Sequence, residues 1–391
     1  MSGTAMESAG DLSALAGPGP DLASCLPLDQ LPRAAWDSLS ATAIEPNAFF
    51  SAGYALPAFA HSYSGPAPRA LLAYGPARQL IGLLPVVSAW SALRLPVPAF
   101  VARQPYSPLT VPLLRQDQAE AAAGALIDAA AQAGARLLSL PAMTLDGTAF
   151  AALSAAMAQR GLVGVVHDRH ERAALDATQD GETYLRAGLG PKKLKELRRL
   201  RHRLEDEGQL AFTHLTAPAD VAAALDRFLL LEAAGWKGAG GTGLGQSADD
   251  AAFVRAAAAE GMFTIAELTL DDRLLASGIV MREGDRGFFF KIAYDETMAR
   301  YSPGVQLTLE LTRLFAADPT LALVDSTADA GHPMIDHVWR ERLSVGDLLI
   351  PTRPNDPIAA AIVALMAARR RTRLLLKALR HRLKTFKETR T

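Results

Sequence analysis

The sequence holds a single cysteine, Cys25, in 391 residues. One thiol makes no internal disulfide, and there is no CxxC-type set to open a zinc cluster. A disulfide-stapled secreted framework is excluded, no metal is expected, and a reducing cytoplasmic setting is. Long hydrophobic runs are missing too: no stretch reaches the roughly 20 apolar residues of a membrane-spanning helix. A global excess of one charge is also missing, since 40 Lys and Arg face 41 Asp and Glu. A net charge of −1 gives no overall pull toward nucleic acid or membrane, so DNA is not an expected partner. The first 30 residues lack the basic start and continuous apolar core of a secretory signal, and read as a flexible leader. Cys25 falls in that leader, where no base is expected beside it.

What is present is ordinary for a globular protein: 50% apolar and 21% charged residues, with a length that suggests two domains. From Arg69 the chain reads strand, strand, loop, helix, strand, helix, strand. The strands are RALLAY (from Arg69), QLIGLLPVV (from Gln79), RLLSL (from Arg136) and LVGVVHD (from Leu162). Two alanine-rich stretches between them end in glycine, as helices do. A helix is expected from about Pro191 to Glu207, where Leu194, Leu197, Leu200 and Leu204 share one face. Three strands then follow in a run, from Met262, Arg273 and Arg286, joined by turns that favour hairpins. After them come helix PGVQLTLELTRLFAA, strand LALVDST, helix PMIDHVWRER and strand VGDLLI. Both halves thus repeat antiparallel strands, helix, strand, helix, strand, which predicts a mixed sheet flanked by helices.

The sharpest local signal is Ala299-Arg300-Tyr301-Ser302-Pro303-Gly304-Val305-Gln306, between a strand and an amphipathic helix. Ser302 is a good N-cap residue and Pro303 suits a first helical position. Gly304 admits close approach to the backbone. Free N–H groups and the positive end of the helix dipole would attract a pyrophosphate. An ordinary capped helix has the same features.

The stretches KKLKELRRLRHRLEDEG, FLLLEAAGWKG, FFFKIAYDETMARYSPGVQL and GHPMIDHVWRERLSVGDLLI resemble the GNAT superfamily of acyltransferases, and within it the BioF2-like or CelD-like acetyltransferase domains. The resemblance implies that acetyl-CoA or another acyl-CoA binds with its pyrophosphate at Arg300 through Gln306. It implies that the pantetheine lies along Phe290, Lys291, Ile292 and Ala293, and that transfer to an amine is direct. Of the superfamily's usual Q/R-x-x-G-x-G/A phosphate signature this chain has one glycine, Gly304, four residues after Arg300. Direct transfer needs a base, and the candidates are Glu267, Asp325 at the mouth of the sheet, His332, and Asp336 one helical turn on. A histidine near its ordinary pKa of about 6.5 suits the task. Asp336 and Arg340 sit four apart and would otherwise pair.

Other motifs carry less. Gly238 to Gly243 matches G-x-G-x-x-G, yet it follows a helix, not a strand, and reads as a loop. The histidine pairs have no metal context. Helix 191–207 is basic, as either a solvated face or a contact for an anionic partner. The C-terminal segment from Ile358 joins an apolar run to a basic cluster. It reads either as a helix on an anionic membrane surface or as one packed on the domain.

The expected architecture is α/β (α+β): a leader at 1–30, a degenerate GNAT-like half at 31–175, a catalytic GNAT half at 176–352 and a basic helical tail at 353–391. The first half has SPLTVPLL from Ser107 where the second has SPGVQL, and so lacks the phosphate-turn glycine. The expected activity is acyl-CoA-dependent N-acyl transfer to a small-molecule or sugar amine, in the cytoplasm or at the periphery of the inner membrane. Two alternatives stay open. One is Fem-type transfer from aminoacyl-tRNA, and the other is a non-catalytic, membrane-docked scaffold of polysaccharide synthesis.

Overall fold

The computed structural model describes residues 23–62, 67–235, 241 and 243–388, with side chains toward the end described to Arg373 and at Leu375. The first half comprises β1 (Ala23–Pro27), α1 (Arg33–Ala41), α2 (Ala52–Ser62), β2 (Arg69–Tyr74), β3 (Leu80–Ser88), α3 (Ala89–Leu93), β4 (Ala99–Ala102), β5 (Leu113–Leu114), α4 (Ala119–Gln132), β6 (Leu137–Thr144), α5 (Thr148–Gln159) and β7 (Val165–Asp176). The second comprises α6 (Gly181–Glu205), β8 (Leu210–Leu215), α7 (Pro218–Ala234), α8 (Ala248–Ala259), β9 (Thr264–Leu270), β10 (Arg273–Glu283), β11 (Arg286–Tyr294), α9 (Pro303–Ala316), β12 (Leu323–Asp325) and β13 (Glu341–Pro351), and α10 (Pro357–Glu388) follows.

The described strands form one sheet in the order β1-β2-β3-β4-β6-β13-β7-β12-β11-β10-β9-β8, with β5 on β3. Read inward from either end, the pairing is the same: three antiparallel steps, one parallel, one antiparallel. From one end these are β1/β2, β2/β3, β3/β4, β4/β6 and β6/β13. From the other they are β8/β9, β9/β10, β10/β11, β11/β12 and β12/β7. The halves are therefore two copies of one mixed-sheet unit that have exchanged their last strands. β7 completes the second sheet, β13 completes the first, and the two pair antiparallel at the centre.

One core cluster joins the halves. Phe49 of the first packs edge-on against Phe288 of β11, ring centroids 5.5 Å apart. A second lies beneath α9, where Leu307, Leu311 and Phe315 meet Phe289 and Trp339. Trp339 is fully buried and donates its indole N–H to Thr312 Oγ1 at 2.9 Å.

Several sequence expectations need correction. The leader does not run to residue 30, because Ala23–Pro27 pairs with β2 and Leu28 is fully buried. A five-residue apolar strand suffices when a sheet edge is waiting. Cys25 sits in this strand, and burial pushes its thiol up from its ordinary value. The basic helix begins ten residues early and bends at Gly190, whose φ of +69° separates two helical pieces and leaves Pro191 to start the second. PMIDHVWRER is not a helix. It makes only a 3-10 turn at Ile335–His337, because the chain must straighten into β13 at Glu341. The segment SPLTVPLL from Ser107 is not helical, and Thr110 donates its N–H to the Ala142 carbonyl on β6. The backbone thus fills the gap that would otherwise open between β4 and β6. The tail starts as a packed helix, with Ala359 and Ile362 buried against Val87, Val101, Leu137 and Leu349. Most of the glycine-rich loop at 238–243 lies outside the described residues. Among the described residues, no helix is long and apolar enough to cross a membrane.

Candidate active site

In the second half the equivalent gap is open. β11 and β12 pair in parallel only from Arg286 to Phe288 and then diverge. Thr327 stands in the fork and donates its hydroxyl to the Phe289 carbonyl at 2.7 Å. Beyond it β12 no longer reaches β11, and a cavity of about 420 Å³ occupies the space. Its walls are Ile292, Ala293 and Tyr294 of β11, Ser302 to Val305 at the start of α9, His332 to Met334, and Leu231 and Glu232 of α7.

The start of α9 has an unusual geometry. Ser302 adopts a left-handed conformation (φ +55°, ψ 52°), and its side chain makes no cap hydrogen bond. The expected hydroxyl cap is thus absent. Its carbonyl still accepts the Gln306 N–H at 3.0 Å. The amides of Gly304 and Val305, in the first helical turn, have no intrahelical carbonyl to bond and lie at the cavity wall. They carry the positive end of the helix dipole. Gly304 sits close to its neighbours: a Cβ there would stand 3.1 Å from Met334 Sδ and 3.3 Å from Tyr294 Cδ1.

The structure gathers Ile292, Ala293, Ser302, Pro303, Gly304, Val305 and His332 on this cavity. Other sequence-derived candidates are held elsewhere. Arg300 lies over the Tyr301 ring and pairs with Glu207 at 3.0 Å, and the Tyr301 hydroxyl bonds the same carboxylate. Gln306 is buried and donates to the Leu197 carbonyl at 2.9 Å, so it clamps α6 to α9. Phe290 belongs to the core, 5.9 Å from the ring of Phe49. Glu267 accepts two hydrogen bonds from Arg227, at 3.0 and 2.7 Å. Asp325 is buried in an ion pair with Arg172. Asp336 does not meet Arg340, which lies over the ring of Tyr184 and bonds Gln179, because the predicted helix that would align them is absent. His332 lines the cavity and turns Nδ1 toward the N–H groups of Met334 and Ile335, at 3.4 and 3.5 Å.

Glu232, a charged residue of the cavity, went unread in the sequence. Glu232 is only 2% exposed and accepts the Leu244 N–H at 2.7 Å. It continues the buried stripe Val221, Ala224, Leu225, Phe228 and Leu229 of α7. A carboxylate at a core position of an amphipathic helix was the available signal. Lys291 departs from its neighbours for another reason. The register of β10 and β11 shifts at Phe290, with Val280 opposite Phe289 but Ile279 opposite Lys291. This bulge turns Lys291 to the face of Ile279, away from Ile292. Burial there lowers its pKa, against the opposing pull of Glu232 and Asp250.

Residues 191–330 match the family model described as Acetyltransferase (GNAT) domain. No curated protein matches the chain in sequence. Among solved structures, FemX is similar with a TM-score of 0.56 at 10% identity, over 85% of this chain and 98% of that one. The C-terminal DUF2156 domain of an Agrobacterium fabrum protein assigned as a lysylphosphatidylglycerol synthetase gives 0.52 at 14% identity, over 85% and 96%. A conserved Bacteroides thetaiotaomicron VPI-5482 protein of unknown function gives 0.53 at 12%, over 83% and 99%. These likenesses are of fold. Residues 191–330, which match that domain model, hold the open fork within a doubled GNAT-like mixed α/β fold.

Proposed function

We propose that this protein is an acyl-CoA-dependent N-acyltransferase that passes its acyl group directly to an amine. The carrying observation is the cavity between the freed edge of β11 and the first turn of α9. A phosphate-bearing chain fits there, with anionic oxygens on the Gly304 and Val305 amides and an extended arm along Ile292 to Tyr294. Glu232 is the general base of this reading. As the new N–C bond forms and the C–S bond breaks, its carboxylate takes the proton that the amine releases. His332, which lines the same cavity, returns a proton to the departing sulfur. The finer assignment to the BioF2-like or CelD-like branch rests on the sequence stretches alone, and on that reading an amino sugar is the acceptor.

Titration calorimetry with acetyl-CoA tests the proposal. One acetyl-CoA bound per chain is expected, and no heat with acetyl-CoA or a longer acyl-CoA overturns it. A second reading, transfer from aminoacyl-tRNA, is favoured by the basic hollow at the bend of α6, lined by Arg186, Pro191, Leu194, Lys195 and Arg198. Binding of charged tRNA without binding of acyl-CoA would select it.

A further inference from the structure

The bulge at Phe290 leaves Lys291 in an unusual setting. Its ammonium lies 5.4 Å from the ring centroid of Tyr106 and 5.9 Å from that of Phe290. Ring faces attract a cation but do not accept its three N–H donors in hydrogen bonds. The nearby carboxylate of Asp250 already accepts two hydrogen bonds. One oxygen accepts the Tyr106 hydroxyl at 2.5 Å, and the other accepts Ser62 Oγ at 2.9 Å. Among the described residues, no carboxylate stands within ion-pair distance of Lys291. A half-buried ammonium without an oxygen partner is costly, and it persists where something else supplies the oxygen. The surroundings are rigid, since Tyr106 is held at its hydroxyl by Asp250 and stacks on Phe253 with an interplanar angle of 7°. Tyr106 and Ser62 come from the first half, while Lys291 and Glu232 come from the second.

We propose that Lys291, seated on Tyr106 and Phe290, binds an anionic group, a carboxylate or phosphate monoester, of the acceptor, whose amine is then directed to Glu232. The acceptor is thus a small amine that carries its own negative charge, and the first half serves to complete its subsite. This rests on the N-acyltransferase reading above and names the substrate class of the same site. Tyr106 and Asp250 are positioning residues: they hold the platform beneath the ammonium and touch no reacting atom.

The test uses matched amines that differ in the anion: lysine against cadaverine, phenylalanine against phenethylamine, and glucosamine 6-phosphate against glucosamine. Each is offered to the full-length protein with acetyl-CoA for turnover, and with CoA for binding by calorimetry. Wild type should prefer the anionic member of at least one pair by roughly 10- to 100-fold in kcat/KM or affinity, the range of a charge-assisted contact. The preferred pair separates a carboxylate from a phosphate. Lys291→Met should bring that ratio close to one through KM, while Lys291→Arg should keep most of it. Melting curves of both variants show whether they fold. No anion preference in any pair, by turnover or by binding, overturns the proposal, and so does a preference that survives in a folded Lys291→Met. If acetyl-CoA itself does not bind the wild type, the acyltransferase reading falls first, and the calorimetric control reports that separately.

Discussion

The guanidinium of Arg172 and the carboxylate of Asp325 meet at 2.6 Å, both side chains 3% exposed, although they belong to different copies of the repeat. Arg172 arrives on the exchanged strand β7 and also donates to the Pro108 carbonyl at 3.0 Å. The pair therefore stitches the open fork of the second half to the segment that closes the fork of the first. Removing one member of such a buried pair strands the other charge, at a cost of about 3–5 kcal/mol. Asp325→Ala should lower the unfolding free energy in urea by that amount, and the double change Arg172→Met with Asp325→Leu should recover part of it. An Asp325→Ala protein of unchanged stability that has lost turnover would instead make Asp325 part of the chemistry.

Gly304 tests the anion site. Gly304→Ala meets the flexible end of Met334 and should bind acetyl-CoA only slightly more weakly. Gly304→Asp adds a bulky carboxylate where phosphates are expected, and should weaken binding by about 100-fold or more, since like charges at close range in a partly buried site are strongly unfavourable. Calorimetry on the two variants decides, and normal binding by Gly304→Asp moves the site elsewhere.

The roles of Glu232 and His332 separate by kinetics. Loss of a general base costs typically 10²–10⁴-fold. Glu232→Gln should lose about that much in kcat with acetyl-CoA affinity retained, and the deficit should shrink at high pH, where the amine arrives unprotonated. His332→Ala should lose less if it serves only the leaving sulfur. Were Glu232→Gln to match the wild type at neutral pH, His332 would take over the assignment.

Arg136 grips Asp356, at the start of α10, through two hydrogen bonds of 2.5 and 2.7 Å. Chiefly through them it holds the carboxyl down to about 2. An unfolded aspartate titrates at about 3.9. The folded value is lower, so this carboxylate stabilises the fold above about pH 4, and the contribution is lost as pH falls toward 2. Arg136→Met should release Asp356 toward its ordinary range and move the acid loosening of α10 upward within that window. Acid titration followed by circular dichroism reads this, and an unmoved acid midpoint counts against it.

The tail offers a graded deletion. Its first turns pack on the sheet, while Leu365 and Leu375 stay exposed beside Arg371 and Arg373. Basic residues near an anionic bilayer contribute about 1 kcal/mol each, weakened by salt. We propose that full-length protein sediments with anionic vesicles at low salt and is released at high salt. Deleting 369–391 should abolish sedimentation and spare the melting temperature, while deleting 357–391 should also lower it. Sedimentation that survives loss of 369–391 would remove the tail from membrane contact.

Much of the fold was legible because it follows from local periodicity. Strand runs, the alanine-rich helices and the Ser302–Gly304 turn were all visible. The strand exchange was not, because β7 and β13 alternate in the same way whichever neighbour they meet. Proximity in sequence also misled at Gln306. It is two residues past Gly304, but the 3.6-residue turn carries it to the core face, where it bonds Leu197. Lys291 needed the bulge, a one-residue slip that no composition reveals. Glu232 was readable as a charge on an apolar stripe, yet its role depended on which wall that stripe faces.

The exchange of β7 and β13 has a consequence for how the protein is made. β6 ends at Thr144, and its partner β13 begins at Glu341. During synthesis the first copy therefore waits for almost the entire remaining chain before its last edge is covered. Until then β6 offers unsatisfied backbone groups to any passing strand, and closure joins segments far apart in the chain, which slows it. A nascent chain halted before residue 341 should be more prone to self-association than the finished protein, and neither copy should survive if severed at the middle.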